Sequence, residues 1–282
     1  LRFVLCGSSA RKLRRQGTNL LGGRAGWLDF FPFLPEELGR DFSMQRALSI
    51  GTIPLIWTST TPYDALAAYA RLYLREEIQH EALVRNLPGF ARFLPIASLF
   101  HGQVLNAASL ARDAGVSRTT VLGYLDVLED TLIAFQLPAF EAKLRVRERK
   151  HPKLYLVDPG IVRALRGPVE SGPAHEELGA LFEGLVAGLL RAYRDSKRLF
   201  DDWAYWAPAE ARKTEVDFLL RRRKDFLAVE AKAGQALANA DLAGLRAIAD
   251  LPRVVRRILV CQTPRARRTA DGIDILPFAT FA

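Results

Sequence analysis

The sequence predicts an α+β protein with more than one domain. A chain of 282 residues can bury a substantial core and suffices for two or three domains. Helix-period segments fill the first half, and the carboxy-terminal part has the order αβββαβ plus an extra strand. Glycine- and proline-rich breaks give the expected units, which are a first piece over 1–39, a helical region over 40–105, a third domain over 106–166 and a carboxy-terminal domain over 174–282.

The composition indicates a globular, basic protein. Hydrophobic residues make up 49% of the chain, and 40 Lys and Arg stand against 31 Asp and Glu. The net charge of +9 favours anionic partners. We therefore expect nucleic acid, with DNA as the first choice, while a protein partner and an oligomer stay open. Only Cys6 and Cys261 are cysteines, which fits the reducing cytoplasm, and no apolar run approaches the roughly 18 residues of a membrane span.

The first piece begins with a buried-strand pattern at 2–6, followed by a turn and an expected helix over Ala10–Gln16. The chain starts with leucine, and Met44 is its only methionine. We therefore interpret the sequence as a fragment. In the helical region, helices are expected over Tyr63–Gln79 and Phe93–Leu105.

Residues 106–136 carry a helix-turn-helix pattern. Helices are expected over Ala107–Ala114 and Arg118–Asp130, with Gly115 in the turn and Ser117 capping the second helix. In a DNA-binding domain the second helix enters the major groove. The alternative is a three-helix packing unit that contacts no DNA, since acidic residues occupy the later half of that helix. The candidate groove-facing residues are Ser117, Arg118, Thr119, Thr120 and Tyr124.

A basic ribbon follows, between expected strands over Ile133–Pro138 and Lys153–Val157, as in the wing of a winged helix. Its cations suit phosphate contacts. Equally, such a run of charge can be a solvated edge that blocks strand aggregation. The candidate nucleic-acid contacts are Lys143, Arg145 and Arg147, and the ribbon continues with Arg149, Lys150 and Lys153.

The carboxy-terminal domain opens with a long amphipathic helix over Glu176–Tyr193. Its apolar residues form one continuous face. The remaining expected elements are strands at 203–207, 214–221 and 226–232, a helix at about 238–250, and strands at 254–261 and 273–277.

The strands at 214–232 form a predicted hairpin that carries the main site candidates. If it turns at Arg223–Lys224, Asp217 lies opposite Glu230, and cross-strand neighbours are about 5 Å apart. Lys232 lies two residues beyond Glu230 and points to the same face. Two carboxylates beside an ammonium are costly unless a divalent cation and a phosphate occupy the site.

This D…E-x-K pattern fits the signature of restriction-endonuclease-like nucleases. Mg²⁺ or Mn²⁺ between Asp217 and Glu230 would activate water, and Lys232 would orient the nucleophile. Glu183 is a candidate fourth member, because its helix can bring it to the sheet edge. The alternative is a solvated strand face on which acids and a lysine neutralise one another.

Several stretches occur in a specific order along nearly the whole chain. They are GSSARKL, LLGGRA, FPFLPEEL, GTIPLIW, LEDTLIAFQLPAF, PKLYLVDPGI, GALFEGLVAGLL, EVDFLL and AVEAK. This order resembles prokaryotic AAA-type ATPases, in which a nucleotide-binding domain is fused to a carboxy-terminal domain of unknown function. The resemblance implies a remnant of the ATPase core over 1–39, a winged helix over 106–166 and a restriction-endonuclease-like domain over 174–282.

By this resemblance, Ser8 and Ser9 lie in a nucleotide-sensing region, and Arg24 faces a γ-phosphate or a neighbouring subunit. The same resemblance assigns the nuclease-like positions to the four residues already named. The chain has no G-x-x-x-x-G-K-[ST] loop to hold phosphates. We therefore expect ATP binding and hydrolysis only in a full-length protein.

Three functions stay open at this point. The first is the carboxy-terminal part of an ATPase-family protein that binds nucleic acid and carries a Mg²⁺-dependent nuclease-like site. The second keeps the fold without the chemistry, as a protein-docking or ATPase-regulating module. The third is a DNA-binding regulator whose acidic face is incidental.

Overall fold

The computed structural model describes residues 28–73, 84, 86–140, 151–208 and 214–282. Within these ranges helices combine with one small and one large β-sheet, which confirms the predicted α+β class. The predicted strand at 2–6 and helix at Ala10–Gln16 lie outside the described residues. The same holds for the predicted site residues Ser8, Ser9, Arg24, Lys143, Arg145 and Arg147.

The first half of the described chain is mainly helical. Pro62 starts the helix predicted over Tyr63–Gln79, because the first helical turn does not need that residue's N–H. The helix continues as a π-helical turn over Tyr69–Tyr73, and its last predicted residues lie outside the described ranges. The helices of this half are α1 (Pro35–Leu38), α2 (Met44–Ile50), α3 (Pro54–Trp57), α4 (Pro62–Ala68) and α5 (Leu87–Leu99).

Helix α5 lies earlier in the chain than the prediction over Phe93–Leu105. The Asn86 side chain caps it by accepting a hydrogen bond from Gly89 N at 2.9 Å, and the helix ends at Leu99, with Phe100 as its C-cap. The following residues leave the helix because Gln103–Val104 form strand β1, which pairs with a later strand. This long-range pairing is not visible in the local apolar pattern.

Helices α6 (Ala107–Ala114) and α7 (Arg118–Asp130) begin and end at the predicted residues. Gly115 ends α6 in the left-handed conformation, with φ of 64°, which glycine adopts without steric cost. Ser117 Oγ accepts a hydrogen bond from Thr120 N at 3.1 Å. The helix-turn-helix pattern is therefore confirmed, including its cap.

An antiparallel sheet of order β1-β3-β2 follows the helix pair. Strands β2 (Ala134–Leu137) and β3 (Lys153–Leu156) match the predicted strands to within one residue at each end. β3 is the central strand, and all of its residues are buried. A helix pair followed by such strands is the arrangement of a winged helix.

An arginine of helix α8 (Pro159–Arg166) fixes the glycine- and proline-rich segment 167–173. Arg163 donates hydrogen bonds to Ser171 O at 2.9 Å and to Gly172 O at 3.0 Å. One hydrophobic core extends from the helical region through the winged helix into the carboxy-terminal domain. The connection between the last two units is therefore a packed part of the fold.

The carboxy-terminal domain is a six-stranded sheet between two hydrophobic clusters. The strand order is β4-β5-β6-β7-β9-β8, with β6, β7 and β9 parallel and the other neighbours antiparallel. The predicted αβββαβ order is confirmed. Its elements are α9 (His175–Ala192), β4 (Asp202–Trp206), β5 (Val216–Arg222), β6 (Asp225–Lys232), α10 (Ala243–Ala247), β7 (Val254–Cys261), β8 (Arg267–Arg268), β9 (Asp274–Pro277) and α11 (Phe278–Phe281).

The helix predicted at about 238–250 is shorter and interrupted. Only α10 is α-helical, with 3₁₀ turns before it at Asn239–Leu242 and after it at Ile248–Asp250. Gly244 lies directly against the sheet, since an added Cβ would come within 1.7 Å of Glu215 O. The segment therefore follows the sheet surface closely.

The β5–β6 hairpin has the predicted register. Arg222 pairs with Asp225 and Phe218 with Val229, so the hairpin closes at Arg223–Lys224. Regular pairing stops at Phe218, and the two strands separate there. This separation is where the candidate site lies.

A β-bulge in β5 precedes the separation. Ala204 pairs with Leu219, whereas Trp206 pairs with Val216. Two residues of β5, Asp217 and Phe218, therefore lie opposite one residue of β4, Tyr205. A bulge of this kind redirects a side chain. The bulge helps to aim Asp217 at its partners.

Candidate functional site

Asp217 and Glu230 meet where β5 and β6 separate. Asp217 N donates a hydrogen bond to Glu230 Oε2 at 3.3 Å, and Ala231 N donates to Asp217 Oδ2 at 3.0 Å. Lys232 Nζ lies 2.7 Å from Glu230 Oε1. The predicted proximity of Asp217, Glu230 and Lys232 is confirmed, and each carboxylate also binds a backbone N–H of the opposite strand.

Lys153 reaches this cluster from strand β3 of the winged helix. Its Nζ lies 3.0 Å from Glu183 Oε1 and 3.1 Å from Asp217 Oδ1. Glu215 Oε1 is 3.5 Å away, and the Lys153 side chain is only 2% exposed. From the sequence, Lys153 was expected at the end of a basic ribbon, either as a phosphate contact or on a solvated edge. Both expectations are wrong for Lys153, because its side chain is buried. The predicted membership of Glu183 holds, but an ammonium lies between it and Asp217.

Tyr155 completes the surroundings of Glu183. Its hydroxyl donates to Glu183 Oε1 at 2.5 Å, and the ring is fully buried. Lys153 and Tyr155 are two residues apart on β3 and so point to the same face. The sequence contained one indication that Lys153 is buried. This lysine begins the apolar strand KLYL and lies on the same face as the tyrosine.

Burial and charge shift the titration of the cluster. Burial, reinforced by the charge of Asp217, raises the pKa of Glu183 to about 7, while Lys153 opposes the rise. Burial and Asp217 likewise raise the pKa of Glu230, against the pull of Lys232. For Lys153, burial alone would lower the pKa, but the neighbouring acids, Glu183 foremost, outweigh it and raise it. Burial thus favours the neutral form of both glutamates, and the two lysines offset this only in part.

The arrangement fits an ammonium better than a metal ion. The oxygens of Glu183 and Asp217 lie 3.0 and 3.1 Å from Nζ, which are the distances of charge-assisted hydrogen bonds to an ammonium. The other Asp217 oxygen accepts a hydrogen bond from a backbone N–H. Within the described ranges, no group of three or more His, Cys, Asp or Glu side chains is placed to hold a metal ion. As arranged, the cluster binds the ammonium group of Lys153.

His101 packs beside this cluster, and its burial disfavours the protonated ring. Its Nδ1 accepts a hydrogen bond from Leu156 N at 3.0 Å, and the ring lies edge-on to Tyr155. Burial, helped by the charge of Arg166, lowers the pKa of His101 from 6.5 to about 3. The folded chain therefore favours the neutral ring.

We expect His101 to contribute stability that is complete above pH 6.5 and is lost as the pH falls towards 3, since only the unfolded chain takes up the proton in that window. Between pH 6.5 and about pH 4 the loss is on the order of 3 kcal/mol. Urea unfolding across this range measures it. His101→Asn keeps an acceptor for Leu156 N but does not titrate, so its stability should depend less on pH. Equal slopes for both proteins would contradict this role.

The predicted DNA-facing residues of α7 divide into two groups. Ser117, Arg118 and Thr119 are exposed, and Thr120 is partly exposed. Tyr124, by contrast, is 5% exposed. Its hydroxyl donates to a backbone carbonyl at 3.0 Å, and its ring packs against two phenylalanines of α5. The expectation that Tyr124 faces outward is corrected, because it lies on the same helical stripe as the buried Val121, Leu125 and Leu128.

Two family models match parts of this chain. Residues 41–171 match a domain of unknown function (DUF8612), and residues 178–281 match another domain of unknown function (DUF4143). The boundary between the two matches falls close to segment 167–173, which is hydrogen-bonded to Arg163. Separately, no helix within the described residues is both long and apolar enough to cross a membrane.

Similar proteins include the "Uncharacterized protein Mb2031c" of Mycobacterium bovis and the "Uncharacterized protein Rv2008c" of Mycobacterium tuberculosis. Each is 28% identical over 213 residues, which cover 73% of this chain and 46% of the relative. The chain thus spans about half the length of these relatives. The crystal structure of protein VC1899 from Vibrio cholerae is similar at 18% identity over 72% of this chain and 46% of that one, with a TM-score of 0.26, which supports no further conclusion.

Proposed function

We propose that this chain is the carboxy-terminal, accessory part of an ATPase-family protein. In this proposal a winged helix that binds nucleic acid is docked on a restriction-endonuclease-like domain, and that domain does not cleave while it is docked. The motif order that resembles AAA-type ATPases supports the first part. The observation that carries the second part is the Lys153 ammonium between Glu183 and Asp217.

A lysine in this position opposes metal-dependent cleavage on physical grounds. A metal ion activates water while carboxylate oxygens coordinate it, and an ammonium between two of those carboxylates occupies the place of the ion. Here Asp217 gives one oxygen to Lys153 and the other to Ala231 N. Glu230 similarly binds Lys232 and Asp217 N. The Lys153 ammonium therefore occupies the position of an ion shared by Glu183 and Asp217, and its ion pairs with these two residues connect the two domains.

A cleavage assay tests this proposal. Labelled single- and double-stranded DNA would be incubated with Mn²⁺ and either the native chain or Asp217→Asn. We expect the two proteins to give the same background of products. Metal-dependent cutting by the native chain that Asp217→Asn abolishes would overturn the proposal.

The second candidate is an active Mg²⁺- or Mn²⁺-dependent nuclease. The convergence of Glu183, Asp217, Glu230 and Lys232 at one strand separation favours it, because these are the acid and lysine positions of the D…E-x-K signature. In that case Asp217, Glu230 and Glu183 would hold the ion and Lys232 would orient the attacking water. The same assay distinguishes the two candidates.

Nucleic-acid binding is proposed at the exposed start of α7. Replacing Arg118, which is exposed there, with alanine is expected to weaken DNA binding several-fold and to reduce the salt dependence by about one phosphate contact. Fluorescence anisotropy at several salt concentrations measures both. Arg40→Ala removes the same charge from an exposed turn elsewhere and should have a small effect. Equal loss in both variants would show that net charge, and not α7, causes binding.

A further inference from the structure

We infer that Lys153 and a divalent cation exclude one another from the carboxylate cluster, so that Lys153 acts as an autoinhibitory lysine supplied by the winged helix. The inference rests on the proposed function, because it names what keeps the nuclease-like domain silent. It concerns what the cluster can bind, whether or not cleavage follows.

The position of Lys153 is central to the cluster. Its Nζ contacts carboxylates from helix α9, through Glu183, and from strand β5, through Asp217. It is also 5.6 Å from the centre of the Tyr205 ring. A single ammonium therefore occupies the volume that lies between two of the expected metal ligands. A cation of either kind at that place leaves no room for the other.

The strand that carries Lys153 is firmly attached to the nuclease-like domain. Tyr205 OH donates to His151 O at 2.5 Å, and the rings of Tyr155 and Phe218 pack 6.1 Å apart. Tyr205 also exchanges backbone hydrogen bonds with the chain just after β2. The docked winged helix thus holds the Lys153 ammonium in place. The position of the ammonium is fixed by packed strands, unlike that of a flexible side chain on the surface.

The charge of the cluster explains why a metal ion would replace Lys153 once it is removed. Without Lys153, one ammonium remains for a set of largely buried acids, and buried carboxylates without a partner must take up protons or cations. A divalent ion supplies two positive charges and prefers carboxylate oxygens. The largely buried acids are Glu183, Asp217 and Glu230, and the remaining ammonium is that of Lys232. Glu215, at the edge of the cluster, is 40% exposed.

Thermal unfolding with and without Mn²⁺ tests the inference on the full chain. We expect Mn²⁺ at about ten times its dissociation constant to raise the Tm of Lys153→Met by roughly 2–3 °C, and to leave the native Tm nearly unchanged. Lys153→Met/Asp217→Asn should lose the shift. The matched control is Lys197→Met, which removes a lysine from an exposed pair with Glu36 and should behave like the native chain.

Two results would overturn the inference. One is a folded Lys153→Met whose Tm does not respond to Mn²⁺. The other is an equal Mn²⁺ shift in the native chain and the variant, since the lysine would then exclude nothing. If Lys153→Met does not fold, the double variant Lys153→Met/Glu183→Gln replaces it. This variant removes one negative charge together with the lysine charge, and it keeps Asp217 and Glu230 as ligands for the ion. Its response is judged by the same two criteria.

The outcome is independent of the cleavage assay. Metal binding by Lys153→Met without any DNA cleavage by the native chain supports both the inference and the proposed function. Cleavage by the native chain overturns the proposed function, while the Tm comparison still shows whether Lys153 weakens metal binding. A failure of the proposed function can therefore be told apart from a failure of the inference about Lys153.

Discussion

Replacing Lys153 with alanine is expected to lower the free energy of unfolding by about 3–5 kcal/mol, the usual effect of breaking a buried ion pair from one side. The side chain is 2% exposed and lies between Glu183 and Asp217. Its removal leaves buried carboxylates that keep their desolvation penalty without their counter-charge. The hydrocarbon stem of Lys153 also leaves the core, which adds to the loss.

Urea unfolding of the native chain, Lys153→Ala and Lys197→Ala measures this effect. Lys197 also pairs with a carboxylate, that of Glu36, but both side chains are 41% exposed, and exposed pairs contribute about 0–1 kcal/mol. Losses of similar size in the two variants would mean that Lys153 is no more than a surface charge.

Replacing Gly184 with alanine is expected to destabilise the fold by about 1–3 kcal/mol, although alanine is the better helix former. Gly184 is a buried residue of α9. An added Cβ would lie 2.0 Å from His101 Nε2, and the His101 ring is itself buried and held by Leu156 N. The clash therefore pushes His101, and with it strand β3, away from α9.

Gly179 in the same helix provides the matched control, because an added Cβ there meets nothing within 4 Å. Gly179→Ala should raise stability by up to about 1 kcal/mol. The two glycine substitutions are thus predicted to have opposite signs in the same unfolding experiment. Stabilisation by both would show that α9 is not packed against His101 in this way.

Local sequence patterns were sufficient for much of the fold. The bounds of α6 and α7 and the Ser117 cap follow from apolar spacing and capping chemistry over a few residues. The register of the hairpin around Arg223–Lys224 follows from its short turn and the alternation of its strands. Because the register was predictable, the meeting of Asp217 and Glu230 was also predictable.

The rest depends on contacts between distant parts of the chain. The end of α5 depends on the pairing of β1 with β3, and the inward position of Lys153 depends on acids in another domain. The cations that precede Lys153 favour an exposed position and outweigh the weaker indication from the apolar strand KLYL. The bulge at Asp217 is likewise set by pairing with β4, which alternation within β5 does not reveal.

A double-mutant cycle between Lys153→Met and Asp217→Asn measures how strongly Lys153 and Asp217 stabilise one another. By urea unfolding, we expect a coupling free energy of at least about 1.5 kcal/mol, as for close charge pairs with little solvent around them. The same cycle between Lys153→Met and Asp271→Asn, an exposed acid paired with Arg246, should give less than about 0.5 kcal/mol. A Lys153–Asp217 coupling as small as this reference would contradict the lysine-occupied site.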